Sequence, residues 1–133
     1  MSRQPLGLLV SGDRLAGMTT ASSLVGYGYE VLLTGSVGEA GHLLRTNRRI
    51  SVLVIDTDLG QAGARLCLAK DARVSDPDLK VIYTSRVPFR LRDAEKVSGA
   101  PCLRTPYCPH QLAGVISQLV RRIAPEEAAA YAA

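Results

Sequence analysis

Tryptophan is absent from this chain of 133 residues, and phenylalanine occurs once. A basic surface built for nucleic acid usually interleaves aromatic rings with its cations, and there is little here to interleave. No run of 18 or more apolar residues occurs, which excludes a membrane-spanning helix of ordinary length. The apolar stretch after Met1-Ser2-Arg3-Gln4-Pro5 is five residues long and meets Gly12-Asp13 soon after, too short for a signal-peptide core. Cysteine is sparse and odd in number. Cys67, Cys102 and Cys108 show no C-x-x-C spacing, so a disulfide framework is not expected and reduced thiols fit a cytoplasmic protein. Cys102, Cys108 and His110 lie close together, but no second ligand pair accompanies them, and they read as core and loop residues rather than a metal cluster. Glycine-rich phosphate loops are missing as well. Ser11-Gly12-Asp13 fits neither G-x-G-x-x-G nor the Gly-Lys-Ser/Thr of a P-loop. No Ser-His-Asp or Cys-His set stands at consecutive strand ends, so an enzyme is not expected.

What is present is enough apolar sequence for one compact domain. Hydrophobic residues make up 47% of the chain and charged residues 21%, a globular balance. The net charge is +4. Its densest basic patch, Arg45, Arg48 and Arg49, falls at a predicted helix end, where arginine complements the helix dipole. It reads first as a solvated terminus and second as a docking patch.

The stretch that orders the rest is Val52-Leu53-Val54-Ile55-Asp56. A short continuous apolar run predicts a strand buried on both faces, the habit of a parallel sheet. It ends in a carboxylate, and Thr57-Asp58-Leu59-Gly60-Gln61 reads as a loop. In open α/β sheets, ligands and chemistry sit just beyond the carboxyl ends of strands. The plainer role for Asp56 is a loop cap.

Around it, strand and helix alternate five times. Strands are expected at Leu6–Val10, Glu30–Thr34, Ile50–Asp56, Leu79–Thr84 and Pro101–Leu103. The first helix, from Arg14 to about Tyr27, would face inward through Leu15, Met18 and Val25, with Gly28 as its left-handed cap. Ser36 to Glu39 has capping-box spacing and opens a helix that buries Ala40, Leu43 and Leu44. Further helices are expected over Ala62–Arg73, on Leu66 and Ala69, and over Pro88–Ser98, on Leu91, Ala94 and Val97. The last helix is the clearest, with Leu112, Val115, Ile116, Leu119, Val120 and Ile123 on one face. Residues 1–124 thus form one α/β domain, a five-stranded parallel sheet with helices on both faces and right-handed crossovers. Residues 125–133 read as a flexible C-terminal tail, and nothing after residue 123 supplies a helix-turn-helix.

This order of marks resembles the response-regulator receiver domain, a flavodoxin-like (βα)5 module of bacterial two-component phosphorelays. The resemblance spans roughly residues 6–123. It rests on Asp56 ending the third strand, Gly28-Tyr29-Glu30-Val31 leading into the second, Thr84 ending the fourth, Gly99-Ala100 before the fifth, and Pro106-Tyr107 in place of a Pro-Phe step. It implies that Asp56 accepts a phosphoryl group from a histidine kinase and that Thr84 senses it. Cys102 holds the aromatic switch position. The backbone carbonyl of Asp58 would help to hold Mg²⁺.

The chain also departs from that pattern. The family's paired carboxylates after the first strand are here Ser11 and Gly12, leaving Asp13 one position later. Asp13 is either a lone metal ligand or the N-cap of the first helix. The family's lysine is Thr105. In the family that lysine balances the phosphoryl charge; the candidates here are Thr105 and its neighbour Arg104, which would point to the other strand face or else reach back through the loop. The loop after Asp56 is about one residue short if Gly63 stands for the family's glycine. An Mg²⁺ site of Asp13, Asp56 and Asp58 would be weak, and phosphoryl transfer slow or atypical, because that transfer is mostly positioning and charge stabilisation. The other expectation is a phosphorylation-independent pseudo-receiver, a docking or dimerisation module. It would act through the fourth helix, fifth strand and fifth helix, on Leu91, Arg92, Lys96, Arg104, Gln118 and Arg122. The partners implied are a histidine kinase or another signalling protein, or a second copy, with neither membrane nor nucleic acid.

Overall fold

The computed structural model describes residues 5–57 and 62–121. Asp58, Arg122, Ile123 and the expected tail lie outside them. Five strands, β1 (Leu6–Val10), β2 (Glu30–Thr34), β3 (Ile50–Asp56), β4 (Lys80–Ser85) and β5 (Cys102–Arg104), form one parallel sheet in the order β2-β1-β3-β4-β5. Four α-helices cover it: α1 (Arg14–Gly26), α2 (Val37–Thr46), α3 (Ala62–Ser75) and α4 (Pro109–Arg121). The α/β class and the parallel sheet are those expected from the sequence.

Two cores result from the two-residue period of the strands. Leu8, Val10, Leu53, Ile55, Val81 and Tyr83 face one side, with Ala40 of α2 and Ala69 of α3. Leu9, Val52, Val54 and Ile82 face the other, with Leu24 of α1 and Leu112, Ile116 and Leu119 of α4. One residue beyond Ile55 and Tyr83, alternation turns Asp56 and Thr84 toward the α1–α4 side.

The first helix is turned relative to its expected face. Leu15, Met18 and Val25 are exposed, at 78%, 49% and 59%, while Gly17, Thr20 and Leu24 are buried. Close approach explains it. A Cβ on Gly17 would stand 2.9 Å from Leu33 Cδ1 and 3.4 Å from Ser11 Cβ, so α1 lies against β2 through its small residues. Larger apolar side chains could not occupy that seam. Gly28 does adopt the left-handed conformation, with φ 94°.

The helix expected over Pro88–Ser98 is replaced by two short 3₁₀ turns, Pro88–Arg90 and Asp93–Glu95. The apolar positions Leu91, Ala94 and Val97 are spaced by three, the 3₁₀ period rather than 3.6. Glu95 accepts from the main-chain nitrogen of Arg92 at 3.0 Å, which closes the second turn. The segment is fastened to the rest of the chain from outside. Lys70 Nζ donates to the Ala94 carbonyl at 2.9 Å and Arg73 Nη1 to that of Ser98 at 2.9 Å, both from α3. β5 also begins one residue later than expected and ends on Arg104, which is exposed.

Candidate functional site

Parallel pairing sets Asp56 directly opposite Thr84 at the carboxyl ends of β3 and β4. The two ends are tied just beyond that pair. Thr57 donates its main-chain N–H and its hydroxyl to the Thr84 carbonyl, at 2.9 and 3.0 Å. Asp56 is half-buried and Thr84 almost wholly buried, at 3% exposure.

Both line a cavity of about 400 Å³ between the strand ends and α1. Its walls come from β1 and its loop (Ser11, Asp13), from the small residues of α1 (Ala16, Gly17, Thr20), and from Arg86, Thr105 and Tyr107 beyond β4 and β5. Missing bulk makes this space. Glycine and alanine on α1 leave the floor of the cavity low, and serine and threonine stand where longer charged side chains would fill it. The surface is mainly apolar, and its polar groups are hydroxyls with the carboxylates of Asp13 and Asp56 and the guanidinium of Arg86.

Asp13 acts as the N-cap of α1. Its backbone is extended, at φ −98° and ψ 103°, and its Oδ1 accepts from Ala16 N at 3.1 Å. Ser11 Oγ donates to the Asp13 carbonyl at 3.1 Å and accepts from its main-chain nitrogen at 3.3 Å. Among the described residues, no group of three or more His, Cys, Asp or Glu side chains could hold a metal ion. Mg²⁺ requires near-octahedral oxygen ligands and commonly one or two free carboxylates. A capping aspartate and an engaged serine do not fit that requirement beside Asp56.

Other expected residues are placed as follows. Thr105 lines the cavity and donates its N–H to the Ser85 carbonyl at 2.9 Å. Cys102 packs on the opposite face of the sheet, at the edge of the core beneath α2 and α3. Arg104, Arg92 and Gln118 are exposed and Leu91 and Lys96 half-buried. Arg92 and Lys96 pair locally with Glu95 and Asp93, at 3.2 and 3.5 Å. The helix that was to carry Leu91, Arg92 and Lys96 is the segment of 3₁₀ turns.

Two residues of the site, Arg86 and Arg65, escaped the sequence reading, and a third, Tyr107, entered it only as half of a Pro-aromatic step. Arg86 lies two positions past Thr84, so the strand period puts it on the same face, with Ile82 as the third member. Arg65 lies four positions before the buried Ala69 on α3, a spacing that turns it inward. It is 4% exposed, and its Nη1 donates to the Asp56 carbonyl at 2.7 Å. Its Nε finds no hydrogen-bond partner among the described residues. Tyr107 hydrogen-bonds Thr20 of α1 across the cavity wall. Burial raises its pKa above 10.0, the bond to Thr20 opposes that, and the charge of Asp56 adds to it.

A second hollow, an open groove of about 540 Å³, runs between α3 and the 3₁₀ segment. Arg86 lines both it and the cavity at Asp56.

The chain matches no protein-family model and no curated protein sequence. Its fold does match solved structures. A response regulator receiver protein from Sinorhizobium medicae superposes with a TM-score of 0.80 at 24% identity, over 89% of this chain and 95% of that one. A response regulator from Thermotoga maritima gives 0.75 at 22%, over 88% and 98%. An orphan response regulator of H. pylori gives 0.76 at 16%, over 91% and 100%. The chain has the fold of response-regulator receiver domains.

Proposed function

We propose that this chain is a non-enzymatic receiver of a two-component phosphorelay, with Asp56 as the phosphoacceptor for a histidine kinase or a small phosphodonor. One observation supports this most. Asp56 stands opposite Thr84 at the sheet's carboxyl edge, and both open into the same cavity. With acetyl phosphate, an Asp56 carboxylate oxygen forms the new bond to phosphorus. The phosphorus–oxygen bond to acetate breaks, and acetate leaves with the electron pair. In this reading the Thr84 hydroxyl donates to the new phosphoryl oxygens. Such transfer depends on positioning and charge stabilisation, and beside Asp56 the cavity supplies the hydroxyls of Ser11, Thr20, Thr84 and Thr105 and the guanidinium of Arg86.

The test is incubation with acetyl phosphate, followed by intact-mass measurement and two-dimensional amide NMR, with Asp56→Ala as control. The expected result is a phosphoryl mass increment and shifts at Asp56, Thr84 and α4 that the variant lacks. A wild-type spectrum and mass identical to those of the variant would exclude the phosphoacceptor role.

The pseudo-receiver reading draws on a different observation, Ser11 and Gly12 in place of an acidic pair. In that reading Leu91, Arg92, Lys96, Arg104, Gln118 and Arg122 form a docking face for a second copy or another signalling protein. Charge reversal at Arg104 and Arg122 together should then change self-association or partner capture. Unchanged behaviour in both assays rejects that face.

A further inference from the structure

The fold's usual metal does not suit the side chains at this site, and the charge found there is of a different kind. Two guanidinium groups lie near Asp56, one sharing its cavity and the other bonded to its main-chain carbonyl. Arg86 lines the same cavity as the carboxylate. Arg65 comes from α3, is 4% exposed, and holds the Asp56 main-chain carbonyl at 2.7 Å. Its Nε, fully buried, lacks an acceptor among the described residues. Burying a guanidinium N–H without an acceptor is costly, so such a group marks a place where an acceptor is expected. Arginine presents several donors in a fixed planar fork and suits phosphoryl oxygens geometrically, where a divalent cation would require vacant oxygen ligands.

We propose that a phosphoryl group or its mimic at Asp56 is balanced by arginine, Arg86 from the cavity side and Arg65 from behind the strand end, in place of Mg²⁺. The inference rests on the phosphoacceptor reading of Asp56 and adds the identity of the counter-charge. The site's ligand is then a tetrahedral oxyanion held without a divalent metal. Arg86 is the recognising group, and Arg65 is a positioning residue that also supplies field. Ser11 and Gly12 are consistent with this. With no metal to hold, an acidic pair would only repel the incoming anion, and Arg86 is the cationic side chain lining the cavity among the described residues.

The test is a beryllofluoride titration followed by amide NMR, in buffer stripped of magnesium and again with Mg²⁺ in excess. It is run on wild type, Arg86→Gln, Arg86→Lys and Asp56→Ala. Arg86 is exposed, so its substitution leaves the fold intact, which the dispersion of the free spectra verifies. Wild type is expected to bind with midpoints agreeing within about twofold in the two buffers. Arg86→Gln should weaken binding by about tenfold or more, the scale of a lost charge-assisted hydrogen bond. Arg86→Lys should fall between them. Binding by wild type only when Mg²⁺ is present overturns the proposal and leaves Asp56 as acceptor. Binding by Arg86→Gln equal to that of wild type also overturns it. Absence of binding in both buffers removes the proposal and the phosphoacceptor reading together.

Discussion

The phenolic oxygen of Tyr83 accepts a hydrogen bond from the main-chain nitrogen of Val97 at 3.0 Å. Tyr83 lies in the middle of β4 with no exposed surface, and Val97 follows the second 3₁₀ turn. One buried hydroxyl thus fixes the path of a segment that has no helix of its own. Tyr83→Phe leaves that N–H buried and unpaired, a cost of about 1–3 kcal/mol. Urea unfolding should show the loss. Amide exchange should accelerate at Val97 and Ala100 before it does at β1 or β3. An unchanged unfolding midpoint would show that water replaces the phenol there at no cost.

Asp13→Ala tests the role of the one acidic residue left after β1. Losing the N-cap bond to Ala16 should cost about 1 kcal/mol of stability. The loss should be the same with and without Mg²⁺, because a cap is indifferent to the metal. A destabilisation that appears only with Mg²⁺ would make Asp13 a ligand instead.

The α1–β2 seam predicts opposite outcomes for two glycines of one helix. Gly17→Ala puts a methyl group 2.9 Å from Leu33 Cδ1, and the forced repacking should cost about 1–3 kcal/mol. Gly26→Ala meets nothing within 4 Å and should gain up to about 1 kcal/mol from helix propensity. Thermal unfolding of the two variants decides it. Equal shifts of the same sign would mean that α1 does not pack closely at Gly17.

Tyr107 and Tyr83 both carry pKa values raised above 10.0 by burial. The native state therefore holds their protons more tightly than the unfolded chain does. Their contribution to stability is complete below pH 10.0 and is lost as pH rises through the native values. Unfolding free energy should fall with pH in that alkaline range. The fall should be shallower in Tyr107→Phe, where one of the two buried phenols is no longer there to titrate. Parallel slopes in variant and wild type would show that Tyr107 titrates normally.

Most of the fold could be read from the chain because its signals are local. Continuous apolar runs give the strands, and Ser36, Asp13 and Gly28 mark helix ends by their own backbone chemistry. The failures are of another kind. Leu15, Met18 and Val25 form an acceptable inward face by periodicity, and only the nearness of Leu33 to Gly17, residues in different elements, reverses it. The Pro88–Ser98 stretch carries helix-compatible residues, and its outcome depends on Tyr83, Lys70 and Arg73 capturing its main-chain groups. The site divides in the same way. Asp56 and Thr84 could be found at strand ends. Arg86 needed the alternation carried one step past the strand, and Arg65 needed the inward face of α3, which its neighbours in sequence do not advertise.

The segment between β4 and β5 has a mechanical consequence. A helix in that position is a rod, able to slide or rotate as one body. Two 3₁₀ turns cannot do that, and the second turn and the residues after it are buckled to their neighbours, at Ala94 and Ser98 by cations of α3 and at Val97 by a phenol. Two of these fastenings lead to α3, whose Arg65 holds the main-chain carbonyl of Asp56. Motion of the segment as one body would require these tethers to give first, and three of the groups involved, Arg65, Lys70 and Arg73, stand on one helix.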